Sequence, residues 1–179
     1  MYIIKYKNEL DNEPRLSYNI DKKRGKEIKP MTKAIYFDMD GTIANLYGVN
    51  GWLDMIINED TTPYKEAKPM VRMTTLARVL NTLHNNGWTL GIVSWTAKNG
   101  TTEYNEKVAE VKREWLKTHL KSVQFDEIHI VEYGTPKETV VRNPKGILFD
   151  DETPNRENWK GKAFDVQNII EILKEVRTN

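Results

Sequence analysis

The 179-residue chain contains no cysteine. That excludes disulfide bonds, a thiol nucleophile and any metal site built on thiolates, and it is the usage expected of a cytoplasmic protein. Long apolar runs are missing too. No stretch approaches the roughly 20 apolar residues of a membrane-spanning helix, and the opening Met1-Tyr2-Ile3-Ile4-Lys5-Tyr6 lacks a signal-peptide core. No membrane partner is expected. Strong charge of one sign is absent as well: 27 Lys and Arg stand against 26 Asp and Glu, a net +1, so no field advertises a polyanionic or membrane surface. Internal repeats and low-complexity segments do not occur. What is present is a chain of the length of one domain, able to bury a sizeable core.

The most informative feature is the junction between residues 33–37, Lys-Ala-Ile-Tyr-Phe, and Asp38-Met39-Asp40-Gly41-Thr42. An apolar strand rarely finishes in two acids with one residue between them. If the chain stays extended through Asp40, both carboxylates point to one face. Two such charges about 5 Å apart repel by about 3 kcal/mol at an effective dielectric of 20. A cation relieves that cost. Gly41 allows the sharp turn that follows.

A second apolar run, Gly146-Ile147-Leu148-Phe149, also ends in acids, at Asp150-Asp151-Glu152. Two buried strands finishing in carboxylates suggest neighbours in a parallel sheet with acids gathered at its carboxyl edge, where open α/β sheets bind ligands. Hard oxygen donors of this kind suit Mg²⁺.

With these residues in hand, the chain resembles the haloacid dehalogenase-like hydrolases. Asp38, Asp40, Gly41 and Thr42 match that superfamily's first motif. Ser94, closing Leu90-Gly91-Ile92-Val93-Ser94, matches the second, a lysine the third, and Asp150-Asp151 the fourth, all in the right order. Two lysines compete for the third role. Lys145 directly precedes the acidic strand, at the far end of the sheet, whereas Lys137 stands thirteen residues before Asp150 and can open a connection at the active edge. Position favours Lys137. The stretch from Thr135 to Asp151 is also similar to the Lys-x-Thr-Val-Val … Asp-Asp segment of 5'(3')-deoxyribonucleotidases, and Asn155 and Trp159 extend the likeness.

The resemblance implies a Rossmann-like, doubly wound parallel α/β sheet. It implies a phosphomonoester hydrolase in which Asp38 is the nucleophile and Asp40 the general acid and base. Thr42, Ser94 and Lys137 would bind the phosphate. Asp38, Asp40 through its backbone carbonyl, Asp150 and Asp151 would hold Mg²⁺. Members that cleave carbon–halogen bonds lack an acid at the position of Asp40, so the implied substrate is a phosphate. A phosphorylated small molecule or nucleic-acid end is the expected partner, with a homo-oligomer open as a way to close the site. Two alternatives stand beside this: a phosphatase for a non-nucleotide ester, and a non-catalytic binding module that keeps the fold.

Periodicity supplies the remaining elements. Met70, Met73, Leu76, Ala77, Leu80 and Leu83 form a helical stripe that Asn86-Gly87 stops, and residues 88–93 read as the next strand. Tyr104, Val108, Val111 and Trp115 mark a long helix ending near Leu120. Residues 127–131 and 162–166 read as strands, and 167–177 as a closing helix. The segment 44–69 has room for a hairpin flap and one short helix over 51–58, a minimal cap. Tyr47, Trp52, Tyr64 and Trp95 flank the expected site and offer rings for a nucleobase.

Residues 31–179 are thus expected to form the catalytic domain. Residues 1–30 read as an N-terminal extension, with a possible hairpin of 2–6 against 16–20 and then a basic linker. Eight basic against five acidic side chains give residues 1–30 a net +3; nineteen against twenty-one give the rest −2. So mild an asymmetry reads as a solvated linker.

Overall fold

The computed structural model describes residues 33–178. The expected extension of residues 1–30 lies outside them. Strand β1 (Ala34–Phe37) has every side chain buried, as a strand covered on both faces requires. A two-residue ladder follows, β2 (Ala44–Asn45) against β3 (Lys68–Pro69). Between its strands lie a 3₁₀ turn at Leu46–Gly48 and two short helices, α1 (Trp52–Ile57) and α2 (Thr62–Glu66). Next come α3 (Met73–Asn85), β4 (Thr89–Trp95), α4 (Thr102–His119) and β5 (Glu127–Val131). The chain closes with β6 (Ile147–Phe149), α5 (Thr153–Asn158), β7 (Lys162–Phe164) and α6 (Ile169–Thr178).

Five strands pair in parallel in the order β5-β4-β1-β6-β7. The expected Rossmann-like α/β sheet is present. The chain steps outward from β1 through β4 to β5, then returns to β6 on the other side of β1. Connections leaving β1 and β6 diverge at that reversal, which opens a crevice beyond their carboxyl ends.

Alternation along β1 builds two layers. Ile35 and Phe37 enter a large core with Leu76, Leu80 and Leu83 of α3, Trp115 of α4 and Leu173 of α6. Ala34 and Tyr36 face the other layer, with Leu148, Val141 and Trp159. That second layer is thinner, because residues 132–146 join β5 to β6 through a single 3₁₀ turn at Lys137–Thr139. Polar ties replace the missing helix. The Tyr36 hydroxyl donates to buried Glu127 at 2.7 Å and accepts the Asn143 N–H at 3.2 Å, while Glu127 accepts the Arg142 N–H at 3.1 Å. These bonds fasten the connection that carries Lys137.

The structure corrects the sequence reading in three places. Met70 does not belong to the α3 stripe: its N–H donates to the Ile43 carbonyl at 3.0 Å and its side chain is exposed. The β2–β3 ladder holds Lys68 and Pro69 extended, so α3 begins three residues later than the periodicity suggests. The flap carries two short helices instead of one, with Pro63 in the first turn of α2. β7 stops at Phe164 and α6 begins only at Ile169. The helix stop is as expected, with Gly87 at φ +81° just beyond α3. Among the described residues no helix is long and apolar enough to cross a membrane.

Candidate active site

Asp38 follows the last residue of β1, and its N–H donates to the Phe149 carbonyl at 2.9 Å. That bond continues the β1–β6 ladder, so the ends of the two acidic strands are held side by side. The chain then turns sharply. The N–H groups of Thr42, Ile43 and Ala44 all reach the Met39 carbonyl, at 2.8–3.1 Å. Gly41 adopts φ +69°, where a Cβ would run into the Asp151 carboxylate and the Tyr47 ring. Only glycine suits both the conformation and the space.

Asp38, Asp150 and Asp151 each offer one oxygen, and these atoms lie within 4.8 Å of one another. Asp38 and Asp150 are buried. Lys137 answers their charge: its Nζ stands 3.0 Å from Asp38 Oδ1 and 2.7 Å from Asp150 Oδ2. It also lies 4.8 Å from the centre of the Trp95 ring, a favourable place for a cation. Lys145, the rival lysine, is exposed at the start of the β6 strand. Asp150 is further held by the Glu152 N–H at 2.9 Å and by Asn155 Nδ2 at 3.2 Å from both oxygens. The Arg156 guanidinium donates to the carbonyls of Asp150 and Asp151 at 2.8 and 2.7 Å.

Burial and mutual repulsion set the electrostatics. Burial is the main cause that lifts Asp150 above the usual carboxylate range; the neighbouring Asp38 adds to it and Lys137 opposes it. Asp151 is pushed up to about 7 by burial, then by Asp38 and Asp150. Burial works against the charge on Lys137, yet Asp38 and Asp150 outweigh it and hold the ammonium above its ordinary value. Carboxylates this crowded favour a cation among them.

Asp40 points elsewhere. Its Oδ2 meets the Nζ of Lys112 at 2.6 Å, and its carboxylate is not part of the three-acid group. Burial is the main reason it too lies above the usual range, against the pull of Lys112. Ser94, in β4, is buried and accepts a hydrogen bond from the same Lys112 Nζ at 3.0 Å. Asp38, Asp40, Ser94 and Lys137 together line the floor of a cleft of about 370 Å³. Thr42 does not line it. Its hydroxyl accepts the Asp151 N–H at 3.2 Å and reaches Asp151 Oδ1 at 3.4 Å, so it fixes Asp151 from behind.

Lys112 is the residue that sequence reading missed. It is 1% exposed, in the middle of a charged helix. A signal existed: Tyr104, Val108 and Lys112 succeed one another at four-residue steps, one stripe of α4. Glu152, which joins the cleft wall, also went unassigned.

No protein-family model matches the sequence, and no curated protein matches it either. The fold does have a match: D,D-heptose 1,7-bisphosphate phosphatase from Burkholderia thailandensis, at a TM-score of 0.53 and 8% identity. The match covers 82% of this chain and 99% of that one. The chain shares that fold, a parallel α/β sheet with flanking helices.

Proposed function

We propose that the chain is a phosphomonoesterase that carries the phosphoryl group on Asp38. The observation that carries this reading is Lys137, whose ammonium bridges Asp38 and Asp150 on the floor of an open cleft. A buried cation beside a buried carboxylate suits a group that must accept a phosphoryl unit and bind its oxygens.

The Asp38 carboxylate attacks phosphorus, forming an acyl phosphate as the ester P–O bond breaks. Asp40 gives its proton to the departing oxygen. It then takes a proton from water, whose oxygen attacks phosphorus and frees inorganic phosphate and Asp38. Ser94 and Lys137 hold the phosphoryl oxygens through both steps. Three carboxylates within 4.8 Å are a hard donor set that fits Mg²⁺, and Asp38, Asp150 and Asp151 would hold it. Bound there, the ion would supply positive charge toward the phosphate oxygens.

The substrate we favour is a nucleotide or a phosphorylated nucleic-acid end. Two aromatic pairs border the cleft, Tyr47 with Trp52 at 5.0 Å between ring centres and Trp95 with Tyr133 at 4.8 Å. Flat rings above a phosphate site suit a stacked base. The likeness of residues 135–151 to the deoxyribonucleotidase segment agrees with this. The test is phosphate release from nucleoside monophosphates, 3'- and 5'-phosphorylated oligonucleotides and sugar phosphates, with Mg²⁺ and with a chelator. We expect Mg²⁺-dependent release, fastest from the nucleotide esters. Inertness toward every ester in Mg²⁺ would leave a binding module as the better reading.

A further inference from the structure

Lys112 has no role in the chemistry above, yet it is among the most buried side chains in the molecule. An ammonium withdrawn from water is costly unless paired and hydrogen-bonded. Here all three donors are used, on Asp40 Oδ2, Ser94 Oγ and the Trp95 carbonyl. The ring of Tyr64, from α2 of the flap, lies 5.2 Å from the Nζ and shields it. A lysine needed only to fill the α4 stripe would gain nothing from these particular acceptors. A methionine or leucine would pack there with no charge to satisfy.

The acceptors belong to the site. By occupying Oδ2, Lys112 leaves Oδ1 of Asp40 as the oxygen free to carry a proton to and from the reacting atoms. By donating to Ser94 Oγ, it leaves the Ser94 O–H free to donate toward a phosphoryl oxygen. One ammonium on a rigid 18-residue helix therefore aims both groups at once.

We propose that Lys112 is a positioning residue that holds Asp40 and Ser94 as a unit on the leaving-group side of the cleft. The proposal rests on the phosphomonoesterase reading. A displaced general acid harms esters in proportion to how much their leaving oxygen needs a proton. An alkyl ester, such as a ribose 5'-phosphate linkage, needs one; p-nitrophenolate leaves without it.

The test compares kcat for Lys112→Met, Asp40→Asn and the double variant on a nucleoside 5'-monophosphate and on p-nitrophenyl phosphate. Lys112→Met should lose about 10²-fold on the alkyl ester and at most about 5-fold on the aryl ester, the scale of general acid catalysis. Asp40→Asn should show the same selectivity. The double variant, which buries no unpaired charge, should show no alkyl-selective loss beyond Asp40→Asn, adding only a small loss common to both esters from the released Ser94. If Lys112→Met does not fold, the double variant decides: a further alkyl-selective loss beyond Asp40→Asn overturns the proposal, and an unchanged alkyl-to-aryl ratio supports it. Equal losses on both esters would mean a purely structural lysine and also overturn it. A wild-type protein that cleaves neither of these esters nor any other ester of the panel above overturns the phosphomonoesterase reading itself, and this proposal with it.

Discussion

Lys137 and Lys145 differ by eight positions and by almost everything else. Lys137 is 3% exposed and sits between two buried carboxylates; Lys145 is exposed at the opposite end of β6. Lys137→Ala should lower kcat about 10²–10³-fold, the range for removing one fixed donor to a developing anion, and Lys145→Ala at most about twofold. Steady-state kinetics on one good substrate checks both. Comparable losses would contradict a phosphate-binding role particular to Lys137. At this scale the acids were legible, because two acids at the end of an apolar strand are costly without a purpose. Lys112 was not, since the identity of a lysine says nothing of its burial. Its stripe position was the clue, outweighed by the charged residues around it. Thr42 was legible as part of the motif, but its side chain serves Asp151 and not the cleft.

Among the elements, the strands with buried runs were read nearly to the residue, and the errors fall where pairing is non-local. The α3 start moved because residues 68–69 pair with 44–45, a contact no local pattern records. Gly91 in β4 is a similar case. It registers with Tyr36 on one side and Glu127 on the other, and the Tyr36 ring lies where a Cβ would be. The glycine lets the Tyr36 hydroxyl cross to Glu127. Gly91→Ala should therefore overpack this layer by about 1–3 kcal/mol. A thermal melt should fall by about 3–10 °C, the shift expected for a domain of this size. An unchanged melting temperature would show that the tie between Tyr36 and the 132–146 connection is soft.

For the whole molecule, alternating strands and helices and two acidic strand ends were enough to anticipate one parallel sheet with those two strands as neighbours. The thin second layer was not foreseeable, because residues 132–146 substitute hydrogen bonds for a helix. Acids packed at the switch point of the sheet make a metal-dependent stability testable. Mg²⁺ at one hundred times its dissociation constant should add about 2.7 kcal/mol. A gain of that size raises the melting temperature by about 5–10 °C. A chelator should reverse the rise, and Asp150→Asn should abolish most of it. An equal rise in that variant would place the ion elsewhere.

The central claim is that Asp38 carries the phosphoryl group. Its most direct test is phosphate release by the parent and by Asp38→Asn side by side, in Mg²⁺, on the best nucleotide ester. The substitution keeps the shape of the side chain and relieves repulsion with Asp150 and Asp151, so the variant should melt no lower than the parent without metal. Its kcat should fall by at least about 10³-fold, the scale for loss of a covalent nucleophile. A folded Asp38→Asn protein that still turns over within about tenfold of the parent would contradict the account.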